Sequence, residues 1–288
     1  MSQMGELAPR KFFGESWKDI DEEAAEERGK RRKRNMPYDK RPLIAMITAA
    51  MCLTAMEYLG HRATMLALID AMDPADGTQH FGFWASLRTS NYSRLYEFVW
   101  WSGWRVLGYF VVPAIVVKAA MGERLRDHGL SVKGIGEHAW MYVLFFVVVA
   151  VGVVGVSFTP DFAEYYPFYK QCSRSWFDFL AWEILYAAQF FSLEFFFRGF
   201  LLKSCKAMMG SNAIFAMIVP YCMIHYGKPA LEAFAAIFAG LILGTLAMRT
   251  KSIWGGALLH VGVAVTMDVS AMLQGRGLPT DMFPVLGQ

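Results

Sequence analysis

"FFSLEFFFRG" spans residues 190–199 and sets one carboxylate, Glu194, and one guanidinium, Arg198, in a nest of phenylalanines. The apolar stretch around it runs from about Trp176 to Leu202 and ends near Lys203 and Lys206. A helix of that length, at ~1.5 Å per residue, exceeds the ~30 Å hydrocarbon core of a bilayer. A charge near the centre of such a span costs about 3 kcal/mol or more unless it finds a partner or a watery cavity. Four residues apart on one helix, Glu194 and Arg198 can pair. The pair is then either a structural clamp or part of an active site inside a membrane.

The rest of the chain has the same character. Of its 288 residues 55% are hydrophobic, with 23 Phe, 18 Met and 9 Trp, and 18% are charged. Mean hydropathy is +0.30. Soluble domains carry about 25% charged residues, and the charges here gather at the ends and between apolar runs. The expected fold is an all-α polytopic membrane protein. A net charge of +3 is too small to indicate a partner by itself.

Residues 1–40 are polar, with helical character around Ser16 to Arg28, and are expected in the cytosol. An acidic block from Asp19 to Glu27 precedes a basic one, Lys30 to Arg34. Beside a hydrophobic segment, the basic block reads as positive-inside bias rather than as a nucleic-acid arm, so no nucleic-acid partner is expected. The acidic and basic blocks together would suit a membrane-protein partner. This charged head lacks the apolar core of a signal peptide.

Expected spans follow at 42–59 ("PLIAMITAAMCLTAMEYL"), about 98–117, 139–156, 176–202, 212–224, 230–248 and 253–267. Between the first two lies a connector with Asp70, Asp73 and Asp76, then an aromatic-rich part suited to the interface. Trp100, Trp101 and Trp104 open the second span as an aromatic belt, from which Arg105 can snorkel. That is about seven transmembrane helices, between about six and eight, in one bundle. Residues 41–272 form the membrane domain and 273–288 a tail. The basic loop "KAAMGERLRDHGLSVKG" and the Arg249/Lys251 turn are expected on the cytosolic side, in a plasma or inner membrane.

Polar residues recur inside these spans. His225 ends one helix in "YCMIHYGKP", and His260 lies in the last, in "WGGALLHVGVAVTMD". One membrane histidine can be a packing residue. Two histidines, a carboxylate and an arginine on three helices can activate water, with a carboxylate–histidine pair as base and a second imidazole on the oxyanion. His2Glu is also a catalytic zinc set. The HExxH helix motif is missing, so a divalent metal such as zinc is less favoured than acid–base chemistry, and no cofactor is assigned.

Asp268 lies two turns beyond His260, too far for contact within one helix. Glu183 is roughly 16 Å from Glu194 along its helix and suits an entrance. Gly240 and Gly244 form GxxxG for close helix packing, and Gly255 and Gly256 would bring backbones close to His260. The cysteines, Cys52, Cys172, Cys205 and Cys222, show no metal-like spacing, and all but Cys172 lie in or near apolar segments as small buried residues. A transporter would call for inverted repeats, and no repeat is visible.

Taken in order, the motifs resemble the CPBP family, the CAAX protease and bacteriocin-processing membrane proteins that include the type II CAAX prenyl endopeptidases. The family's EExxxR corresponds to Leu193-Glu194 through Arg198, its FxxxH to Tyr221 through His225, and its HxxxN begins at His260. "GLILGTLAMRTKSIWGGALLH" resembles the family's penultimate helix and basic turn, and "GERLRDHGL" its entry to the core. The resemblance covers about 120–270. It implies an intramembrane endopeptidase acting on a peptide or protein tail in the lipid bilayer, with Glu194, Arg198, His225 and His260 as site residues.

In the family, the first glutamate and the FxxxH histidine activate water, and the last histidine and asparagine stabilise the oxyanion. This chain departs from that pattern twice. Leu193 stands where a glutamate is expected, and Ala264 where an asparagine is expected. A catalytically impaired relative that binds tails or scaffolds a membrane complex is therefore the alternative.

Overall fold

The structure, a computed structural model, describes residues 10–36, 38–72, 83–132 and 136–284. Asp73 and Asp76 of the expected connector lie outside the described residues, as do Phe81 and the two ends of the chain. Among the described residues the regular structure is helical. Six helices are long and apolar enough to cross a bilayer: Arg41–Leu59, Ser93–Ala119, Ala139–Val156, Trp176–Met209, Ala230–Thr250 and Trp254–Gln274. The expected seventh, Asn212–Met223, is an apolar helix of 12 residues. The last span exceeds its expected end at Met267, because Asp268 finds a buried partner within the protein and does not stop the helix.

Ala139–Val156 shows why these segments are helices in lipid. It carries no charge, and Val143, Val147, Val148 and Val151 are exposed. Without water, backbone groups must pair within the segment, and an apolar outer face meets acyl chains.

The chain divides into two compact units. The first comprises Met1–Ala50, Pro113–Leu144 and Glu194–Leu259. The second comprises Met51–Val112, Phe145–Leu193 and His260–Gln288.

In the first unit, the polar head forms the helix Ser16–Lys33, with Ile20 and Ala24 buried. It is pinned by side chains. Trp17 Nε1 donates to Thr245 Oγ1 at 3.1 Å, and Arg28 Nη1 to the Ala207 carbonyl at 2.8 Å. Asp21 accepts from the Ser211 backbone N–H at 2.6 Å, beside the start of Asn212–Met223. That helix packs on Ala230–Thr250 through the GxxxG glycines. Gly240 faces Ile218 and Tyr221, and Gly244 faces Ile214 and Met217. Gly129 turns the preceding loop at φ +86° and accepts from Ile253 N–H at 3.0 Å.

The second unit has an aromatic core. Trp182 stacks on Tyr186 with centroids 4.6 Å apart, and Phe98 meets Trp182 edge-on at 4.8 Å. Arg105 lies over the Trp101 and Tyr109 rings, using cation–π contact in addition to any reach toward headgroups. Cys52, Cys172 and Cys205 are buried free thiols, and Cys222 is half-buried.

Candidate active site

The Trp176–Met209 helix is α-helical up to Glu194. It then loosens into a π-helical stretch, Phe195–Leu202, whose residues are all buried. Such i→i+5 stretches are rare and recur at functional sites. The widened turn holds Arg198 Nη1 2.9 Å from Glu194 Oε1. On its other side the guanidinium carbon stands 4.1 Å from the centroid of the Tyr221 ring. Nε and Nη2 of Arg198 meet no acceptor at close hydrogen-bond geometry among the described residues, while the Tyr221 side chain supports the guanidinium from within reach. A guanidinium has five donors, so this one has bonding capacity to offer a ligand.

Tyr221 links this pair to His225. Its carbonyl accepts from His225 Nδ1 at 2.8 Å, and its ring meets the imidazole edge-on at 4.8 Å. A carbonyl oxygen only accepts, so Nδ1 carries a proton, and in the neutral ring Nε2 is then the acceptor. His225 follows the end of Asn212–Met223 in a half-buried turn, where Nε2 can act as an acceptor. Read from sequence, Tyr221 is a mild replacement for phenylalanine. In the fold it touches both Arg198 and His225.

Gly256 closes another side. A Cβ there would run into the Glu194 carboxylate, so this glycine lets the last helix approach the acid. The expectation that Gly255 and Gly256 serve His260 is corrected accordingly: Gly255 lies against the Tyr142 ring, and Gly256 against Glu194. Behind the π-helical stretch, His128 Nδ1 donates to the Gly199 carbonyl at 2.9 Å. His128 Nε2 lies 2.7 Å from Glu123 Oε2, and Glu123 Oε1 accepts from Arg41 at 2.9 Å. His128 and Arg41 together hold the Glu123 carboxyl below its usual range despite burial.

The remaining sequence candidates lie in the second unit. His260 is half-buried with its ring stacked on Phe190, centroids 5.3 Å apart and planes within 8°. Ala264 is buried in the aromatic core around Trp182 and Tyr186, and Leu193 is buried too. Asp268 Oδ2 accepts from Trp182 Nε1 at 2.6 Å, so Asp268 has a partner on another helix. Glu183 is half-buried, and its Oε1 makes no hydrogen bond among the described residues. Among the described residues, no group of three His, Cys, Asp or Glu side chains is arranged to hold a metal ion.

Residues 175–266 match a family model described as type II CAAX prenyl endopeptidase Rce1-like, the family kind that the motifs resemble. The matched segment contains Glu194, Arg198, His225 and His260. Together with six apolar helices it makes the chain an integral membrane protein and supports a CAAX-type intramembrane protease kind of function. No curated protein and no solved structure matches the chain.

Proposed function

We propose that the chain is an intramembrane endopeptidase that hydrolyses a peptide bond in a membrane-associated or C-terminal tail substrate by activating water. The observation that carries this reading is the state of the polar group on Tyr221. His225 has its Nδ1 proton engaged by the Tyr221 carbonyl, and Arg198 has donors in reserve beside Glu194.

In this reading His225 Nε2 takes a proton from water, and Glu194 stabilises the imidazolium that forms. The hydroxide attacks the peptide carbonyl carbon, and the proton passes to the leaving amine. Leu193 cannot act as a base and Ala264 cannot donate a hydrogen bond, so the rate rests on fewer groups than the family pattern contains. We place the N-terminus in the cytosol, of a plasma or inner membrane, because basic residues gather at Lys30–Arg34 and at the Arg249/Lys251 turn.

Purified full-length chain and a His225→Ala variant, compared on a library of membrane-anchored tail peptides, test the reading. The variant should lose ~10²- to 10⁴-fold in turnover with unfolding temperature unchanged. Cleavage that continues undiminished in the variant would remove the assignment. The buried apolar Leu193 and Ala264 favour a second reading, a tail-binding or scaffolding relative without turnover. For that reading, tails bind and remain intact in both proteins.

A further inference from the structure

Arg198 also lines a small cavity in the first unit, of about 20 Å³, room for roughly one water-sized group. Its walls carry Arg198, Lys203, Lys206 and Lys251. His128 and Asp127 also line it. His128 is engaged by Gly199 and Glu123, and Asp127 is paired with Arg124 at 3.2 Å. Four cations thus face a recess with little negative charge of its own, and Arg198 reaches it as a buried guanidinium.

One carboxylate already bridges two of these lysines. Glu23, on the Ser16–Lys33 helix, bonds Lys206 Nζ through Oε2 and Lys251 Nζ through Oε1, the latter at 3.0 Å. The exposures of the partners are unequal. The Lys206 side chain is 5% exposed and that of Glu23 46%. A buried ammonium left without its counter-ion is strongly unfavourable, whereas a half-exposed carboxylate can move into water at little cost. Glu23 can therefore be exchanged, but the recess must keep an anion.

Lys251 adds to this. It ends the Ala230–Thr250 helix at φ +56°, a conformation that glycine adopts at less cost, and its ammonium is aimed at Glu23.

We propose that this recess is a carboxylate subsite for the terminal α-carboxylate of a tail peptide, and that Glu23 occupies it as the chain's own competing ligand. Only the identity of the peptide rests on the endopeptidase reading above. The carboxylate chemistry is carried by Glu23 itself. A tail anchored there by its terminus would extend past Arg198, which touches Glu194. The N-terminal helix would then set substrate access without leaving the protein, since Trp17, Asp21 and Arg28 hold it independently of Glu23.

The test uses the full chain in nanodiscs of zwitterionic lipid and a fluorescent N-palmitoylated pentapeptide, prepared as the free acid and as the C-terminal amide. Glu23→Gln should bind the free acid about tenfold tighter than the unaltered chain does, and the amide no better. Adding Lys206→Gln to Glu23→Gln should erase the gain. Lys251→Gln, at a more exposed lysine, serves the same purpose if the buried substitution impairs folding.

Equal binding of acid and amide by Glu23→Gln, or no gain over the unaltered chain, overturns the proposal. A gain that disappears when a third of the lipid is anionic assigns the recess to lipid headgroups and overturns it as well. Acid-selective binding without cleavage leaves the subsite standing and removes the peptidase. Cleavage without acid selectivity does the reverse.

Discussion

Asp178 and Glu194 are buried carboxylates on the same helix, each with an arginine four residues away, and they are built to opposite ends. Asp178 is saturated. It accepts from Arg174 Nε at 2.9 Å and Nη2 at 2.7 Å, from Ser175 Oγ at 2.7 Å and from Tyr169 OH at 2.8 Å. The Arg198 guanidinium opposite Glu194 has one ion-pair contact, an aromatic face and donors in reserve. A pair that only holds a fold together gains most when every lone pair and proton is engaged. The comparison separates a strut from a candidate reaction site without reference to any motif.

Stability measurements sharpen the contrast. Asp178→Ala should cost about 3–5 kcal/mol, because it removes the acceptor of four hydrogen bonds and leaves Arg174 unbalanced. Glu194→Gln, which keeps shape and an acceptor oxygen, should cost clearly less while sharply reducing turnover. Equal destabilisation by the two, in chemical unfolding from detergent micelles, would show that both acids are struts.

A smaller effect is expected from Gly256→Ala. Its methyl would meet the Glu194 carboxylate, so either the acid or the last helix must shift. A loss of about 1–3 kcal/mol is expected, with reduced turnover in the fraction that stays folded. An unchanged melting temperature together with unchanged activity would mean that Glu194 has room that the structure does not give it.

The smallest effect concerns pH. Burial raises Glu23, but the Lys206 and Lys251 ammoniums outweigh it and bring the group from 4.5 down to about 2. Its folded value is depressed, so its contribution is complete above 4.5 and is lost as pH falls through about 2. Amide hydrogen exchange over Ser16–Lys33 should therefore show constant protection, after correction for the intrinsic rate, between pH 7 and pH 5. Protection should fall only in more acidic solution. A loss near neutral pH would point to a different group as the latch.

Much of this molecule could be read from its residues. Ala139–Val156 needs only its composition, since an uncharged run of that length has one stable state in lipid. The GxxxG packing of Gly240 and Gly244 and the pairing of Glu194 with Arg198 follow from helical spacing, which is a local property. The contacts of Tyr221 with Arg198 and His225 left no such trace, because an aromatic residue in an apolar helix looks like packing. Gly256 was legible as a close approach but not as an approach to Glu194.

Sequence by itself thus determined the helical class, most of the spans and the candidate residues, because hydrophobicity and helical period act over a few neighbouring positions. Only the tertiary structure decided which charges are saturated. It brought Glu23 to Lys206 and Lys251 across 183 and 228 positions of chain, set Tyr221 under Arg198, and loosened the helix beyond Glu194 into its π-helical stretch. Those outcomes depend on how distant helices share a limited interior, where each buried polar group must find a partner that no local pattern specifies.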